Sequence, residues 1–157
     1  MKRSHFGAAA IVILGLLAAP VASYGFSSSS SSEQEQPDFY KQAKNLIDDN
    51  EYSKAIPLLE KSIKQKGEYA DALNLLGFAN RKLGDKAKAM TYYTKALNME
   101  PNHLGANEYM GELYLELDNL PKAEERLAVL KTACGNCEEY EDLEGHIDDY
   151  KQEHGLS

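Results

Sequence analysis

The sequence predicts an all-α fold made of stacked helix pairs, and three observations support this prediction. Residues of similar size and kind recur every 34 positions between residues 36 and 135. Small residues occupy two fixed places in every period. Apolar residues three or four positions apart follow in residues 138–154, which is the spacing of one helix face. The first two observations indicate repeated helix pairs, and the third indicates one further helix.

The three predicted units span about 36–69, 70–103 and 104–137, within a repeat region given as 37–135. Two helices can cross closely only where side chains are small. The eighth and twentieth positions of each unit therefore predict the contact between its first helix, helix A, and its second, helix B. They are occupied by Ala43 and Ala55, Gly77 and Ala89, and Gly111 and Ala123.

A turn between helix A and helix B is predicted at the fifteenth position of each unit. This position holds Asn50, Gly84 and Asp118, which are residue types that tolerate a positive φ angle. Such residues commonly follow the end of a helix. The same place in all three units thus predicts where each helix A ends.

The middle unit resembles the tetratricopeptide repeat family. The residues that carry the resemblance are Leu73, Leu76, Gly77, Ala89, Tyr93, Ala96 and Pro101. Asn80 departs from it, because the family usually has tyrosine there. The resemblance covers about residues 36–135 and implies a right-handed α-α superhelix of three helix pairs, a TPR solenoid, whose A helices line a concave groove.

Residues 138–157 are predicted to form a C-terminal capping helix and tail. Tyr140, Leu143, Ile147 and Tyr150 make one apolar stripe, and acidic residues occupy the other faces. A helical stack leaves an apolar surface at its end, which a helix with a polar outer side can cover. A separate partner-binding helix is the alternative interpretation.

Residues 1–23 are predicted to be a signal peptide. Lys2 and Arg3 precede an uncharged run over residues 6–22, and Val21 to Ser23 offer a cleavage site with small residues. The prediction is an exported chain, periplasmic or secreted. The alternative is an uncleaved signal that anchors the chain in the inner membrane. Residues 24–36 contain six consecutive serines and are predicted to be a flexible linker.

The charge of the chain argues against nucleic acid as a partner. The formal net charge is −8, and the only charged residues in the first 32 are the basic Lys2 and Arg3. A surface this acidic repels phosphate backbones and anionic lipids. The expected partner is a protein or peptide, with membrane insertion only if the signal is uncleaved.

Cys134 and Cys137 are the one pair of residues with possible chemistry. In an exported chain, two cysteines this close predict a disulfide between the last repeat and the capping helix. The alternative is a thiol-redox or metal-handling protein that uses this pair. A structural zinc site needs four ligands, and no second pair of this kind exists. Motifs for catalysis or phosphate binding are absent, so the prediction is no enzyme, no cofactor and no metal.

The family resemblance implies which residues would line the groove. They are Tyr40 and Lys44 in the first unit, Asn74, Phe78, Arg81 and Lys82 in the second, and Glu108, Glu112 and Glu116 in the third. The glutamates are either a solvated face or a site for a cation-rich peptide. The groove is expected to be basic and aromatic at the first two units and acidic at the third.

One function of the family is excluded by this sequence. Chaperone-binding tetratricopeptide domains hold a C-terminal carboxylate with lysine, asparagine and arginine at five places. Those places hold Tyr40, Lys44, Leu75, Gly105 and Tyr109 here. The predicted function is therefore a scaffold or adaptor that binds another protein or peptide through the groove.

Overall fold

The computed structural model describes residues 38–156. The predicted signal peptide and the predicted linker, residues 1–23 and 24–36, lie outside this part of the chain. Its helices are α1 (Phe39–Asp48), α2 (Tyr52–Lys66), α3 (Ala70–Lys82), α4 (Lys86–Met99), α5 (Leu104–Leu115), α6 (Leu120–Cys134) and α7 (Glu138–Glu153).

The helices pair in sequence order and stack. Helices α1 and α2, α3 and α4, and α5 and α6 form the three A–B pairs, and each B helix also contacts the A helix that follows it. The A helices touch one another in the order α1, α3, α5, with α7 against α5. Residues 38–156 contain seven helices and no strand, which confirms the predicted all-α superhelix. Within them, no helix is long and apolar enough to cross a membrane.

The turns inside the pairs repeat with the predicted period. Asn50, Gly84 and Asp118 have positive φ angles of 60°, 85° and 55°. The amide that follows each of them donates to a carbonyl five residues earlier in helix A. These bonds join Glu51 to Leu46 at 2.7 Å, Asp85 to Asn80 at 2.9 Å, and Asn119 to Tyr114 at 2.8 Å. The last carbonyls of each helix A are thus satisfied in the same way.

The helix starts are fixed by polar caps. The side chains of Asp38, Asp85 and Asn119 accept hydrogen bonds from backbone amides three residues later, which satisfies one free donor at the start of α1, α4 and α6. The ring Nδ1 of His103 accepts from the amide of Ala106 at 3.1 Å and plays the same role at α5. Local residues therefore specify the starts of four helices and the ends of the three A helices.

The small residues lie where the helices meet. All four alanines at the eighth and twentieth positions are fully buried. A Cβ on Gly77 would lie 2.5 Å from Cε1 of Tyr93 on α4, so glycine allows the ring of helix B to rest on helix A. A Cβ on Gly111 would lie 2.5 Å from Cδ2 of Leu143. That glycine therefore makes room for α7, whose Leu143 supplies the atoms nearest to this position.

We expect Gly77→Ala to destabilise the fold by about 1 to 3 kcal/mol, because the added methyl group would overlap a fully buried tyrosine ring. Gly145→Ala is the matched control. Gly145 also lies inside a helix, but nothing approaches the place of its Cβ within 4 Å. That change should stabilise the protein by about 0.5 to 1 kcal/mol through helix propensity. Urea unfolding measures both, and the same sign for the two variants would contradict the packing described here.

Helix α7 closes the stack through the predicted apolar stripe. Leu143 and Ile147 are fully buried and Tyr140 nearly so. They pack with Leu130 of α6 and Leu115 of α5 in one cluster. Since α7 contacts α5 and α6 as an A helix contacts the preceding pair, it occupies the place of a fourth helix A.

Candidate functional site

The predicted groove residues all lie on the A helices or at their ends. We call the surface formed by α1, α3, α5 and α7 the A-helix face. Tyr40 and Lys44 lie on α1, and Lys44 is exposed. The second set lies on α3, and the three glutamates lie on α5 or directly after it. The structure brings the predicted residues of α3 into contact with those of α5. Tyr40 and Lys44 lie on α1, away from that contact.

Arg81 joins α3 to α5 in the middle of this face. Its Nη1 lies 2.7 Å from Oε2 of Glu112 and 2.8 Å from Oε1 of Glu116, and its side chain is only 4% exposed. The guanidinium also lies over the rings of Phe78 and Tyr109, at 5.6 and 5.8 Å from their centroids. Burial alone would lower the pKa of Arg81, but the two carboxylates outweigh it and raise that pKa.

These ion pairs change the predicted charge pattern. The sequence suggested a basic half and an acidic half, with three glutamates that are either solvated or free for a ligand. Glu112 and Glu116 instead neutralise Arg81, and Lys86 adds a contact of 3.3 Å to Glu116. The prediction of two separate halves is therefore wrong at the α3–α5 boundary. It fails because side chains 31 and 35 positions apart in sequence face each other once the units stack.

Aromatic rings form a strip around Phe78 on the A-helix face, and a second pair of rings lies at Tyr40. The ring of Phe78 packs against Tyr109 at 4.7 Å and against Tyr52 at 5.9 Å between centroids. The ring of Tyr40 packs against Tyr69 at 5.8 Å. Sequence reasoning had not assigned Tyr52, Tyr69 or Tyr109 to the site. The signal that could have found Tyr109 is its place 31 positions after Phe78, near one repeat length.

Burial keeps two of these tyrosines, Tyr40 and Tyr109, neutral. It raises the pKa of Tyr40 to about 12, with Asp71 as the next cause. It likewise raises the pKa of Tyr109 to about 12, with Glu108 and Glu112 adding to the effect. The exposed ammonium of Lys82 lies 5.3 Å from the centroid of Phe78. The strip therefore offers apolar ring surface with hydroxyl donors at its edge.

The side chain of Asn74 is less accessible to a ligand than the sequence suggested. It is 6% exposed, and a Cβ on Gly105 would lie 2.9 Å from its Nδ2. The Asn74 side chain therefore packs against the backbone of the next helix A. Its Oδ1 atom is buried without a hydrogen-bond partner among the described residues. Its evident role is contact between units.

Glu108 is also buried, at 7% exposure. Burial raises the pKa of its carboxyl to about 8, and the neighbouring carboxylates of Glu112, Asp142 and Glu139 raise it further, against a lowering effect of Arg81. Near neutral pH the group is therefore mostly protonated. A largely buried acid that forms no ion pair is uncommon and expensive to ionise.

An open cleft of about 540 Å³ lies where the C-terminal ends of α3, α5 and α7 come together. Tyr150 stacks on His154 at 4.0 Å between ring centroids and forms part of the α7 wall. The cleft is lined by Arg81, Lys82, Glu112, Leu115, Glu116, Asp118, His146, Asp149, Tyr150, Glu153 and His154. Helix α7 thus contributes four of the lining side chains, and His154 directly after it contributes a fifth, in addition to its predicted role as a cap.

The cysteine pair lies outside this cleft, at the junction of α6 and α7. The Sγ atoms of Cys134 and Cys137 are 2.04 Å apart. Among residues 38–156, no group of three or more His, Cys, Asp or Glu side chains is arranged to hold a metal ion.

The stacked pairs with nested small residues define an all-α helical-repeat protein. The family model for the tetratricopeptide repeat matches residues 70–103, which contain α3, α4 and the turn that follows. The chain therefore contains this repeat, and its other two helix pairs stack with it to form a solenoid. A search of curated protein sequences finds no match.

Three solved structures illustrate the likeness of fold. A tetratricopeptide repeat protein from Parabacteroides merdae superposes with a TM-score of 0.62 at 16% identity, over 76% of this chain and 46% of that protein. The Yersinia enterocolitica type III secretion chaperone SycD, in complex with a peptide of the translocator YopD, gives 0.62 at 18% identity, over 75% and 90%. The TPR2B domain of yeast Sti1, in its complex with pHsp70, gives 0.66 at 18% identity, over 73% and 94%.

Proposed function

We propose that this protein is a non-catalytic scaffold or adaptor that binds a protein or peptide on its A-helix face. The observation that carries the proposal is the partly exposed strip of rings around Phe78, which lies beside the cleft between α3, α5 and α7 because Arg81 contacts two of its rings and also lines the cleft. Half-buried aromatic rings beside fixed charges are typical of surfaces that hold peptides. SycD and the Sti1 domain, which share the fold, were both captured in complexes with a partner.

The charge of the cleft favours a partner with a basic segment. Arg81 is neutralised by its own ion pairs, and the exposed acids Asp118, Asp149 and Glu153 outnumber the one exposed lysine, Lys82. Electrostatic complementarity therefore selects lysine- or arginine-containing peptides and speeds their association.

The test is selection of peptides from a random displayed library, followed by affinity measurement on the soluble chain. We expect the selected peptides to combine basic and aromatic residues. Phe78→Ala should weaken their binding about tenfold or more, since a central ring contact is lost. Met99→Ala removes an exposed apolar side chain at the end of α4, away from the cleft, and should leave affinity unchanged. Equal affinities for the two variants would rule out the A-helix face.

We further propose that the protein is exported by its predicted signal, residues 1–23, and that Cys134 and Cys137 form a structural disulfide. The position of the two cysteines supports a structural role for the disulfide, because Cys134 ends α6 and Cys137 directly precedes α7. Labelling of thiols directly in intact cells, followed by mass spectrometry, should show a fully oxidised pair. A mixture of oxidised and reduced chains, or a pair protected by metal, would instead favour the thiol-redox or metal-handling alternative.

A further inference from the structure

The contact between α5 and α7 contains a carboxyl group that the fold does not use. Glu108 lies on α5 and is more than nine-tenths buried. No hydrogen bond or ion pair to it occurs within residues 38–156. Buried ionisable groups are normally paired. Neither carboxyl oxygen of Glu108 is among the enclosed side-chain atoms that lack a partner, so the carboxyl reaches solvent at the edge of the proposed binding face and is open to a partner from outside the chain.

The surroundings of Glu108 specify the sign of that partner. The groups that act on it electrostatically are Glu112 on its own helix, Glu139 and Asp142 on α7, and Arg81 on α3. Arg81 is the one cation among them, and its Nη1 is already bound to Glu112 and Glu116. The two acids from α7 have no cation paired with them in the described structure. Negative charge therefore converges from two helices on a single buried carboxyl.

We propose that Glu108, together with Glu112, Glu139 and Asp142, forms a subsite that receives one guanidinium or ammonium group of the bound peptide. This inference rests on the proposed function and specifies which contact on the A-helix face recognises the basic segment. It also gives α7 a second role, because the capping helix supplies half of the subsite.

Binding at this subsite involves a proton. At neutral pH the Glu108 carboxyl holds its proton, since burial raises its pKa to about 8. An incoming cation stabilises the ionised carboxylate, so the proton leaves to solvent while the charge-assisted hydrogen bond forms. The peptide keeps its charge throughout, and no other group has to change. The affinity for a cationic peptide should therefore rise with pH and level off once free Glu108 is ionised.

The experiment measures binding of a nine-residue arginine–glycine peptide with blocked ends to the soluble chain by calorimetry. Arginine stays charged over the whole range. Between pH 7.5 and 9 we expect the affinity of the wild-type chain to rise several-fold. Glu108→Gln should weaken binding about tenfold at pH 9 and remove this rise, because a neutral amide cannot ionise. The same peptide with citrulline in place of arginine is isosteric and uncharged, and it should not bind measurably.

A matched control separates the subsite from general attraction to an acidic chain. Glu60→Gln removes the same formal charge from an exposed position on α2. It should leave both the affinity and its pH dependence as in the wild type. Equal weakening by the two substitutions, or a wild-type affinity that does not change with pH, would overturn the subsite. Neither result bears on the Phe78 comparison, so failure of the subsite and failure of the proposed function remain distinguishable.

Discussion

Arg81→Met is expected to lower the free energy of unfolding by about 3 kcal/mol or more. The substitution keeps much of the side-chain length but removes the charge that lies between Glu112 and Glu116. The largely buried carboxylate of Glu112 would then have no cation paired with it, and Glu116 would keep only its contact with Lys86. Removing one partner from a buried ion pair typically costs about 3 to 5 kcal/mol. For a domain of this size, the melting temperature should fall by about 10 °C or more.

Lys88→Met is the control for Arg81→Met. Lys88 also forms an ion pair, at 2.8 Å to Asp85, but its side chain is 66% exposed. Exposed pairs contribute little to stability because water screens them. Urea unfolding should therefore place this variant close to the wild type. If both methionine variants lost the same small amount, Arg81 would not be the link between α3 and α5 described above.

Glu108→Gln is expected to stabilise the protein at alkaline pH by about 2 kcal/mol or more. Because the folded-state pKa of this carboxyl is raised to about 8, the folded chain keeps a proton that the unfolded chain releases near its ordinary pKa. The contribution of Glu108 to stability is therefore greatest at low pH and declines as pH rises toward 8. Glutamine imitates the protonated form at every pH, so the variant escapes this decline.

The measurement for this prediction is chemical unfolding at pH 5 and at pH 9. The advantage of Glu108→Gln over the wild type should grow by about 2 kcal/mol or more between the two. Glu60→Gln, which changes an exposed carboxyl, should show no such growth. If the difference in unfolding free energy between Glu108→Gln and the wild type were the same at pH 5 and pH 9, the pKa of Glu108 would not be raised in the folded chain. The account of Glu108 as a buried, protonated carboxyl would then be wrong.

Together, the stability and binding expectations for Glu108 have opposite signs. Glutamine should make the fold more stable and the binding of cations weaker. A residue that costs stability without a structural benefit is typical of functional sites, where selection for binding opposes selection for stability. Loss of binding in Glu108→Gln could then not be attributed to unfolding.

The repeat architecture could be predicted from the sequence because its determinants are local and periodic. The positive φ angles of Asn50, Gly84 and Asp118 and the burial of the nesting alanines follow from residue type and position within the unit. Because each unit makes nearly the same contacts, the clear match of the middle unit to the repeat pattern also predicts where the helices of the other two units begin and end. The apolar stripe of α7 was predictable for the same reason, since its spacing of three and four is a helix signal.

The electrostatics of the site could not be predicted in this way. The bond from Arg81 to Glu116 joins residues 35 positions apart, and it depends on the rotation between neighbouring units. The residues involved do not recur from one unit to the next, so the period carries no information about them. The burial of Glu108 likewise depends on how closely α7 approaches Gly111. Only the assembled stack shows that Arg81, a predicted ligand contact, forms a salt bridge and that Glu108, one of the three predicted groove glutamates, is buried.

The most direct test of the binding face is nuclear magnetic resonance of the labelled chain during titration with the tightest peptide from the displayed library. The account predicts that the largest shifts in amide resonances occur on α3, α5 and α7, around Phe78, Glu112 and Tyr150, while the outer surfaces of α2, α4 and α6 change little. Largest shifts on the B helices, with those three residues unaffected, would contradict it.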